Sequence, residues 1–254
     1  MVAELFGLLT RIRVTSRPLN LEKAASRQFL FPIVGLIVGL LAALAALVLS
    51  HFFEEDLAVL LGGIVVVFVY FLTGIIHTEG LSDFADGLMA KGSKERKREV
   101  MKDVHSGVGG VFAVVVSLIL YFSAVWTVMA SPSRTANLGF SWSVLAFGLV
   151  LSEVAGKLAM NVTMWMGPSS HPGMGSVFVS KAGVGKLVAS FSIALTIGFV
   201  LVGLLFLIVL LGAVAGVSIA LLSRKHFGGV AGDSFGAANE IGRLLTIVAW
   251  VLIA

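Results

Sequence analysis

Long apolar runs dominate this chain, and short groups of charged and glycine residues separate them. Five of these runs are long enough to cross a bilayer as helices, because about 20 helical residues cover the hydrocarbon core. They occupy roughly residues 30–51, 56–76, 109–130, 138–166 and 234–254. A sixth run, roughly 185–222, is nearly twice that length and predicts either one bent helix or two spans.

The placement of Lys and Arg favours two spans for the sixth run. Short cytoplasmic loops collect basic residues, and a break near residues 198–203 puts most of them on one side of the membrane. That side then holds four basic segments, 1–29, 77–108, 167–184 and 223–233. The opposite side keeps only Arg134. We therefore predict seven transmembrane helices, with the amino terminus in the cytoplasm and the carboxyl terminus outside.

Composition supports an all-α integral membrane protein. Of 254 residues, 58% are hydrophobic and 13% are charged, and the mean hydropathy is +1.03, which is far from the balance of a soluble domain. The chain has no cysteine, which excludes disulfides, thiolate metal sites and cysteine nucleophiles. No repeat or shift in composition divides the chain, so we predict a single membrane-embedded helical bundle over residues 1–254.

The first 29 residues form a basic arm that we expect on the cytoplasmic side. Its basic residues are Arg11, Arg13, Arg17, Lys23 and Arg27. The arm lacks the layout of a short signal peptide, so we expect no cleaved secretory signal. Apolar residues recur at helical spacing at Leu5, Leu8, Leu9 and Ile12. This spacing predicts an amphipathic segment on the membrane surface.

An acidic cluster follows the second apolar run directly. Glu79, Asp83 and Asp86 are spaced by four and three residues, which puts their side chains on one face of a helix at the membrane edge. Three crowded carboxylates need a cation, and hard oxygen ligands suit Mg²⁺ or Mn²⁺. The cluster lies in the 77–108 connection, which we predict to be the catalytic cytoplasmic loop. The alternative is a solvated acidic loop without a metal.

A glycine-rich turn precedes the third span. Gly107 and Gly110 stand at its start, and backbone amides at a helix amino terminus favour phosphate oxygens. Asp103 lies just upstream, where it serves either as a catalytic base or only as a helix cap. The basic stretch 91–102 is interpreted first as a solvated helix face and second as a site for an anionic substrate.

Ionisable residues also lie inside predicted spans, where they are costly and usually face a polar interior. Glu153 and Lys157 are four residues apart and either neutralise each other or line a polar cavity. Glu240 lies near Arg243, which either shares such a cavity or neutralises the carboxylate. Asp233 precedes them as a helix cap or a substrate contact.

These residues together resemble the cobalamin-5′-phosphate synthase family, also called adenosylcobinamide-GDP ribazoletransferase. The resemblance extends over nearly the full length. Its blocks are Thr10-Arg11-Ile12, Phe31 to Gly35, His77 to Leu88, Met101-Lys102-Asp103 with Gly107 and Gly110, and Gly228 to Glu240. Four positions depart from the family pattern: Glu79 replaces aspartate, Lys157 and His171 replace arginine, and Ala231 replaces threonine.

The resemblance implies a transferase of cobalamin biosynthesis. A hydroxyl of α-ribazole or its 5′-phosphate attacks the pyrophosphate of adenosylcobinamide-GDP, and GMP leaves. Phosphoryl transfer needs charge neutralisation and a proton acceptor, so we expect Mg²⁺, or else Mn²⁺, on Glu79, Asp83 and Asp86. The catalytic base is then one of these carboxylates or Asp103. Substrate contacts are expected from Arg11, His77, Lys102, Lys157, Gly107, Gly110, Asp233 and Glu240.

Two other functions fit parts of the sequence. Asp83 to Lys91 resembles the first half of the CDP-alcohol phosphotransferase signature, but Val100 stands where that signature has glycine, and its later aspartate pair is absent. The intramembrane Glu153, Lys157 and Glu240 would also suit an ion-coupled transporter, although a transporter does not need the acidic cluster. We expect the lipid bilayer and no nucleic acid as partners, and leave homo-oligomerisation open.

Overall fold

The computed structural model describes residues 2–12, 14, 20–53, 55–130 and 141–253, and this part of the chain is all-helical. Three of the basic residues noted above, Arg13, Arg17 and Arg134, lie outside the described residues. The α-helices are α1 (Val2–Leu9), α2 (Leu21–Ser26), α3 (Phe31–Phe52), α4 (Ala58–Thr73), α5 (Ile76–Met89), α6 (Lys94–Met101), α7 (Val108–Met129), α8 (Ser141–Trp165), α9 (Met174–Lys181), α10 (Val184–Val202), α11 (Leu210–Phe227) and α12 (Gly232–Ile253).

The long apolar run near the carboxyl end is broken, as its basic flanks predict. Gly203 ends α10 with a positive φ of 57°, and a 3₁₀ segment, Gly203–Val209, follows it. This segment folds back, so that the rings of Phe199 and Phe206 lie 5.8 Å apart. Residues seven apart in one continuous helix would lie about 10 Å apart. By length and composition, five helical stretches of the described chain could cross a membrane, or six with the bent pair of α4 and α5. Counting α10 and α11 separately gives the seven that the sequence predicts.

Helix α8 lies at the centre of the bundle, and its Val144–Trp165 stretch is almost wholly buried. Glycines of the neighbouring helices let their backbones approach it closely. A Cβ added to Gly39 of α3 would meet the backbone of Val150, and one added to Gly216 of α11 would meet that of Ala159. Small residues at such crossings are typical of helix packing in membranes, where dispersion contacts replace the hydrophobic driving force.

The four segments predicted on the basic side meet at one end of the bundle. Gln28 at the end of the amino-terminal arm donates to the carbonyl oxygen of Phe178 in α9 over 3.3 Å. The guanidinium of Arg98 in α6 donates to the carbonyl oxygen of Phe227 over 2.8 Å. The amide of Val230 donates to the carbonyl oxygen of Pro168 over 2.8 Å. These contacts confirm that the four segments share one end.

The 77–108 connection is folded into helices α5 and α6. Gly74 and Ile75 both have positive φ, 70° and 56°, and turn the chain so that α5 runs at 89° to α4. Helix α5 therefore lies across the end of the bundle, outside the spanning segments. It packs against α12, where Gly80 and Gly236 face each other: a Cβ on either would lie within 3.1 Å of the other's Cα. This crossing positions the candidate site.

Candidate active site

A cavity of about 390 Å³ opens at this end of the bundle, between α1, α3, α5, α8, α9 and α12. Its polar lining comes from α5 and α12, and its apolar lining comes mostly from the other four helices. The polar residues are His77, Glu79, Asp83 and Asp233. The structure thus brings together two of the three predicted metal ligands with two of the predicted substrate contacts.

The close crossing of α5 and α12 is what assembles these carboxylates. A Cβ on Gly80 would lie 3.1 Å from the carbonyl oxygen of Asp233, so Glu79 and Asp83 on either side of Gly80 face the first turn of α12. Burial, reinforced by the charges of Asp233, Glu79 and Asp86, raises the pKa of the Asp83 carboxyl to about 6. The site is therefore negatively charged and tends to retain a proton.

The donor set fits a hard divalent cation in its chemistry. Glu79, Asp83 and Asp233 line one cavity, and within the described part of the chain no Lys or Arg forms an ion pair with any of them. Carboxylate oxygens without a cationic partner are what Mg²⁺ prefers. Among the described residues, no three acidic or histidine side chains converge to metal-binding distance, so the predicted metal site stays a prediction.

Asp86 faces another helix. Its Oδ2 accepts from the amide of Gly107 over 2.7 Å, and its Oδ1 accepts from the amide of Gly110 over 2.8 Å. These amides belong to the N-cap residue Gly107 and to the first turn of α7, so Asp86 satisfies the donors that were predicted to bind a phosphate. Asp86, Gly107 and Gly110 do not line the cavity. Their proposed roles in metal and substrate binding remain predictions.

Asp103 lies in the exposed turn between α6 and α7. It accepts from the backbone amide of His105 over 3.0 Å, and its Oδ1 lies 2.8 Å from Nδ1 of the same residue. The backbone hydrogen bond, followed by the side-chain one, lowers the pKa of the Asp103 carboxyl. The N-cap of α7 is Gly107, so Asp103 stabilises the turn and does not cap the helix, and its role as a catalytic base stays a prediction.

A basic rim, defined here as Arg98, Lys102 and His171, lies beside the acidic cluster. Burial, followed by the charges of Lys102 and Arg98, lowers the pKa of the His171 imidazole. The Lys102 ammonium also interacts electrostatically with Asp233. The side chain of Arg11, in contrast, packs over Gly74, and its amide donates to the carbonyl oxygen of Leu72 over 2.8 Å. Arg11 thus joins the end of α1 to the turn between α4 and α5.

Lys157 and Glu240 lie deeper, in a buried charge network that does not border the cavity. The Lys157 amine donates to Oδ1 of Asn239 over 2.6 Å and lies 3.6 Å from Glu153. Arg243 bridges Glu153, at 3.2 Å, and Glu240. The two cations, Lys157 and Arg243, therefore balance the two carboxylates. Mutual neutralisation was one of the two roles predicted for these residues. His77 lines the cavity, and its buried Nδ1 has no hydrogen-bond partner among the described residues.

Sequence reasoning missed the apolar side of the cavity. Leu9 of α1 is buried and lines the cavity together with Leu8, so this helix, which was predicted to lie on the membrane surface, packs its apolar face into the protein. Met160 and Met164 of α8 also line the cavity. Apolar residues carry little information in a chain this hydrophobic. The one usable signal was the spacing of four residues between these two methionines.

The fold and the site define a polytopic membrane protein with an acidic cavity at one end of its helical bundle. The family profile described as cobalamin-5-phosphate synthase matches residues 2–251. The chain belongs to this family. No solved structure matches it.

Curated relatives cover almost the whole chain. A protein of Thermococcus kodakarensis is 34% identical over 252 residues, which are 96% of this chain and 95% of the relative. One of Methanocella arvoryzae is 33% identical over 95% of this chain and 91% of the relative. One of Methanococcoides burtonii is 29% identical over 96% of this chain and 88% of the relative. Each is named adenosylcobinamide-GDP ribazoletransferase.

Proposed function

We propose that this protein is an adenosylcobinamide-GDP ribazoletransferase, which joins adenosylcobinamide-GDP to α-ribazole or its 5′-phosphate and releases GMP. The observation that carries the proposal is the end-to-end match to relatives of that name. The acidic cavity supports it, because the reaction requires a place where a diphosphate and a hydroxyl acceptor meet. The product is adenosylcobalamin or its 5′-phosphate.

The bond changes are those of a phosphoryl-type substitution. An acceptor hydroxyl oxygen forms a bond to the phosphorus that carries cobinamide, and the bond from that phosphorus to the oxygen bridging to GMP breaks. The hydroxyl proton passes to a carboxylate, for which Asp83 is suited because its raised pKa keeps it near the operating pH. Glu79 lies one turn away and serves as the alternative base.

Glu79, Asp83 and Asp233 would hold the expected Mg²⁺, whereas both carboxylate oxygens of Asp86 already accept from the amides of Gly107 and Gly110. When bound, the ion neutralises the diphosphate and the charge that develops on the leaving GMP. The carboxylates of the chain position the acceptor and take its proton. Lys102 at the basic rim supplies positive charge to the donor phosphates, and His171 supplies a neutral hydrogen-bond donor.

One assay separates this function from its nearest alternative. Purified protein with Mg²⁺ receives adenosylcobinamide-GDP plus α-ribazole, and separately a CDP-activated lipid plus an alcohol. We expect GMP release in the first mixture and no CMP release in the second. CMP without GMP would assign the chain to CDP-alcohol phosphotransfer. Replacement of Mg²⁺ by Mn²⁺, and chelation of both ions, tests the cofactor in the same assay.

We place the cavity end of the bundle in the cytoplasm, because the basic segments meet there. The absence of cysteine makes this testable by single-cysteine labelling. Lys91→Cys, at the cavity end, should react with an impermeant maleimide only after cells are opened. His51→Cys, near the other end of α3, should react in intact cells. The reverse pattern would invert the orientation.

A further inference from the structure

The cavity has a second, apolar half that phosphoryl transfer does not require. Four helices contribute to it, namely α1, α3, α8 and α9. Its lining residues include Leu8, Leu9, Phe31, Met160, Met164 and Phe178. Five of these six are buried, and Phe31 and Phe178 lie 6.0 Å apart with tilted rings. An apolar wall of this kind, continuous with a polar mouth, is typical of a small-molecule site.

The chemistry of this half selects among the parts of the two substrates. All four polar lining side chains belong to α5 and α12, at the other half. A guanine base, with its ring of donors and acceptors, would leave those groups unpaired against Met, Leu and Phe. The benzimidazole of α-ribazole carries two methyl groups and no exocyclic polar group. It therefore suits the wall better than guanine does.

Size leads to the same choice. A cavity of about 390 Å³ falls in the range of roughly 300–1,000 Å³ that holds drug-sized ligands. A ribosylated bicyclic base fits this range, whereas the corrin macrocycle of the donor is far larger. The donor can present only its diphosphate to the acidic half of the cavity and must keep the corrin outside.

We propose that the apolar half binds the aromatic base of the acceptor nucleoside, with the ribose directed toward Glu79 and Asp83. This assignment rests on the transferase function proposed above. Met160 and Met164 contact the ring through polarisable thioethers, and Phe178 contacts it edge to face. Leu8 and Leu9 cover the base from α1, so the amino-terminal helix forms part of the acceptor site.

The test measures acceptor and donor kinetics separately. Leu8→Gln introduces an amide at a half-buried position of α1, where it disturbs packing less than it would in α8. We expect the KM for α-ribazole to rise roughly tenfold, while the KM for adenosylcobinamide-GDP stays unchanged. Met164→Gln should have the same effect. Met164→Leu, which removes the thioether but keeps the wall apolar, should raise the acceptor KM much less than Met164→Gln does.

Acceptor analogues supply an independent measurement on the unaltered chain. Removal of both methyl groups from the base should lower kcat/KM for the acceptor by about tenfold. In Leu8→Gln this preference should shrink, which a loss of folding would not cause. A change confined to the donor KM, or an unchanged methyl preference, would overturn the base site while leaving the transferase function intact. Absence of GMP release with every acceptor would instead overturn the transferase function.

Discussion

Among single residues of the site, Asp83 has a raised pKa that makes the stability of the protein depend on pH. Its pKa rises from 3.8 to about 6 in the folded protein, because burial and the neighbouring carboxylates disfavour the charged form. Between about pH 4 and pH 6 the folded state therefore holds a proton that the unfolded chain has lost. Stability must fall as the pH rises through this window.

We predict this pH dependence in metal-free protein. The melting temperature of the purified chain in chelator should fall between pH 4.5 and 6.5, and Asp83→Asn should flatten that slope. At pH 7, Mg²⁺ should raise the melting temperature of the unaltered chain, because a ligand of the folded state stabilises it. Equal slopes for both proteins would show that Asp83 is not the titrating group.

Asp86 either caps α7 or binds the metal, and a substitution at this position distinguishes the two roles. Asp86→Asn weakens two hydrogen bonds from a charged acceptor to the amides of Gly107 and Gly110, and hydrogen bonds to charged groups are worth about 1.5–3 kcal/mol. We predict a lower melting temperature by the same amount with and without Mg²⁺. The matched control, Asp56→Asn, alters an exposed carboxylate and should change neither value. A loss seen only with Mg²⁺ would instead make Asp86 a metal ligand.

Some of the positions of these acidic residues could be predicted from the sequence. Helical spacing placed Glu79 and Asp83 together because they lie on one turn of α5. The same spacing grouped Asp86 with them, but it does not reveal that α7 begins beside Asp86 and leaves its amides free. Asp233 was predicted as a helix cap or a substrate contact but not as a neighbour of Asp83, since its approach to α5 depends on a contact between residues more than 150 positions apart.

At the scale of helices, the crossing of α5 and α12 determines whether the carboxylates meet. Gly236→Ala adds a Cβ that would lie 2.9 Å from the carbonyl oxygen of His77. Because this oxygen is a backbone atom, the close contact can be relieved only if α5 itself moves. We predict a loss of stability of about 1–3 kcal/mol and a fall in kcat of about a hundredfold, since a displacement of about 1 Å is enough for that.

A second glycine provides the control for this crossing. Gly185 lies in the first turn of α10, and a Cβ there meets nothing within 4 Å. Gly185→Ala should leave activity unchanged and raise stability slightly, because alanine is the better helix former. Full activity in Gly236→Ala would contradict the claim that the close crossing assembles the site. Melting temperature and GMP release measure both variants.

Helix-level features also differ in how well the sequence revealed them. The break near Gly203 was predicted because basic residues on both flanks require a return across the membrane. The right-angle turn into α5 was not, since it depends on Ile75 adopting a positive φ of 56°. A β-branched residue rarely takes that conformation, so no local signal announces it.

At the scale of the whole molecule, the buried charges join helices that are distant in sequence. Tyr70 of α4 donates to Glu240 of α12 over 3.2 Å, and Arg243 of α12 reaches Glu153 of α8. The guanidinium of Arg243 also lies 4.6 Å and 4.7 Å from the rings of Tyr70 and Tyr121. The network therefore fixes α12 against α4, α7 and α8, below the acidic cavity.

Lys157 has either a structural or a substrate-binding role, and stability and kinetics together distinguish the two. Lys157→Met leaves two carboxylates facing one guanidinium in a fully buried site, and breaking a buried pair costs about 3–5 kcal/mol. The double variant Glu153→Gln with Lys157→Met restores the balance of charge and should recover much of the lost stability. Melting temperatures of the two single variants and the double variant complete this cycle.

The kinetics of the double variant then decide the role. If Lys157 acts only in the network, the double variant, whose buried charges balance, should have a KM for adenosylcobinamide-GDP close to that of the unaltered chain. If Lys157 binds donor phosphates, the KM should rise even though stability has returned, since no replacement cation is present. The geometry favours the first outcome, because the ammonium is wholly buried and already donates to Asn239.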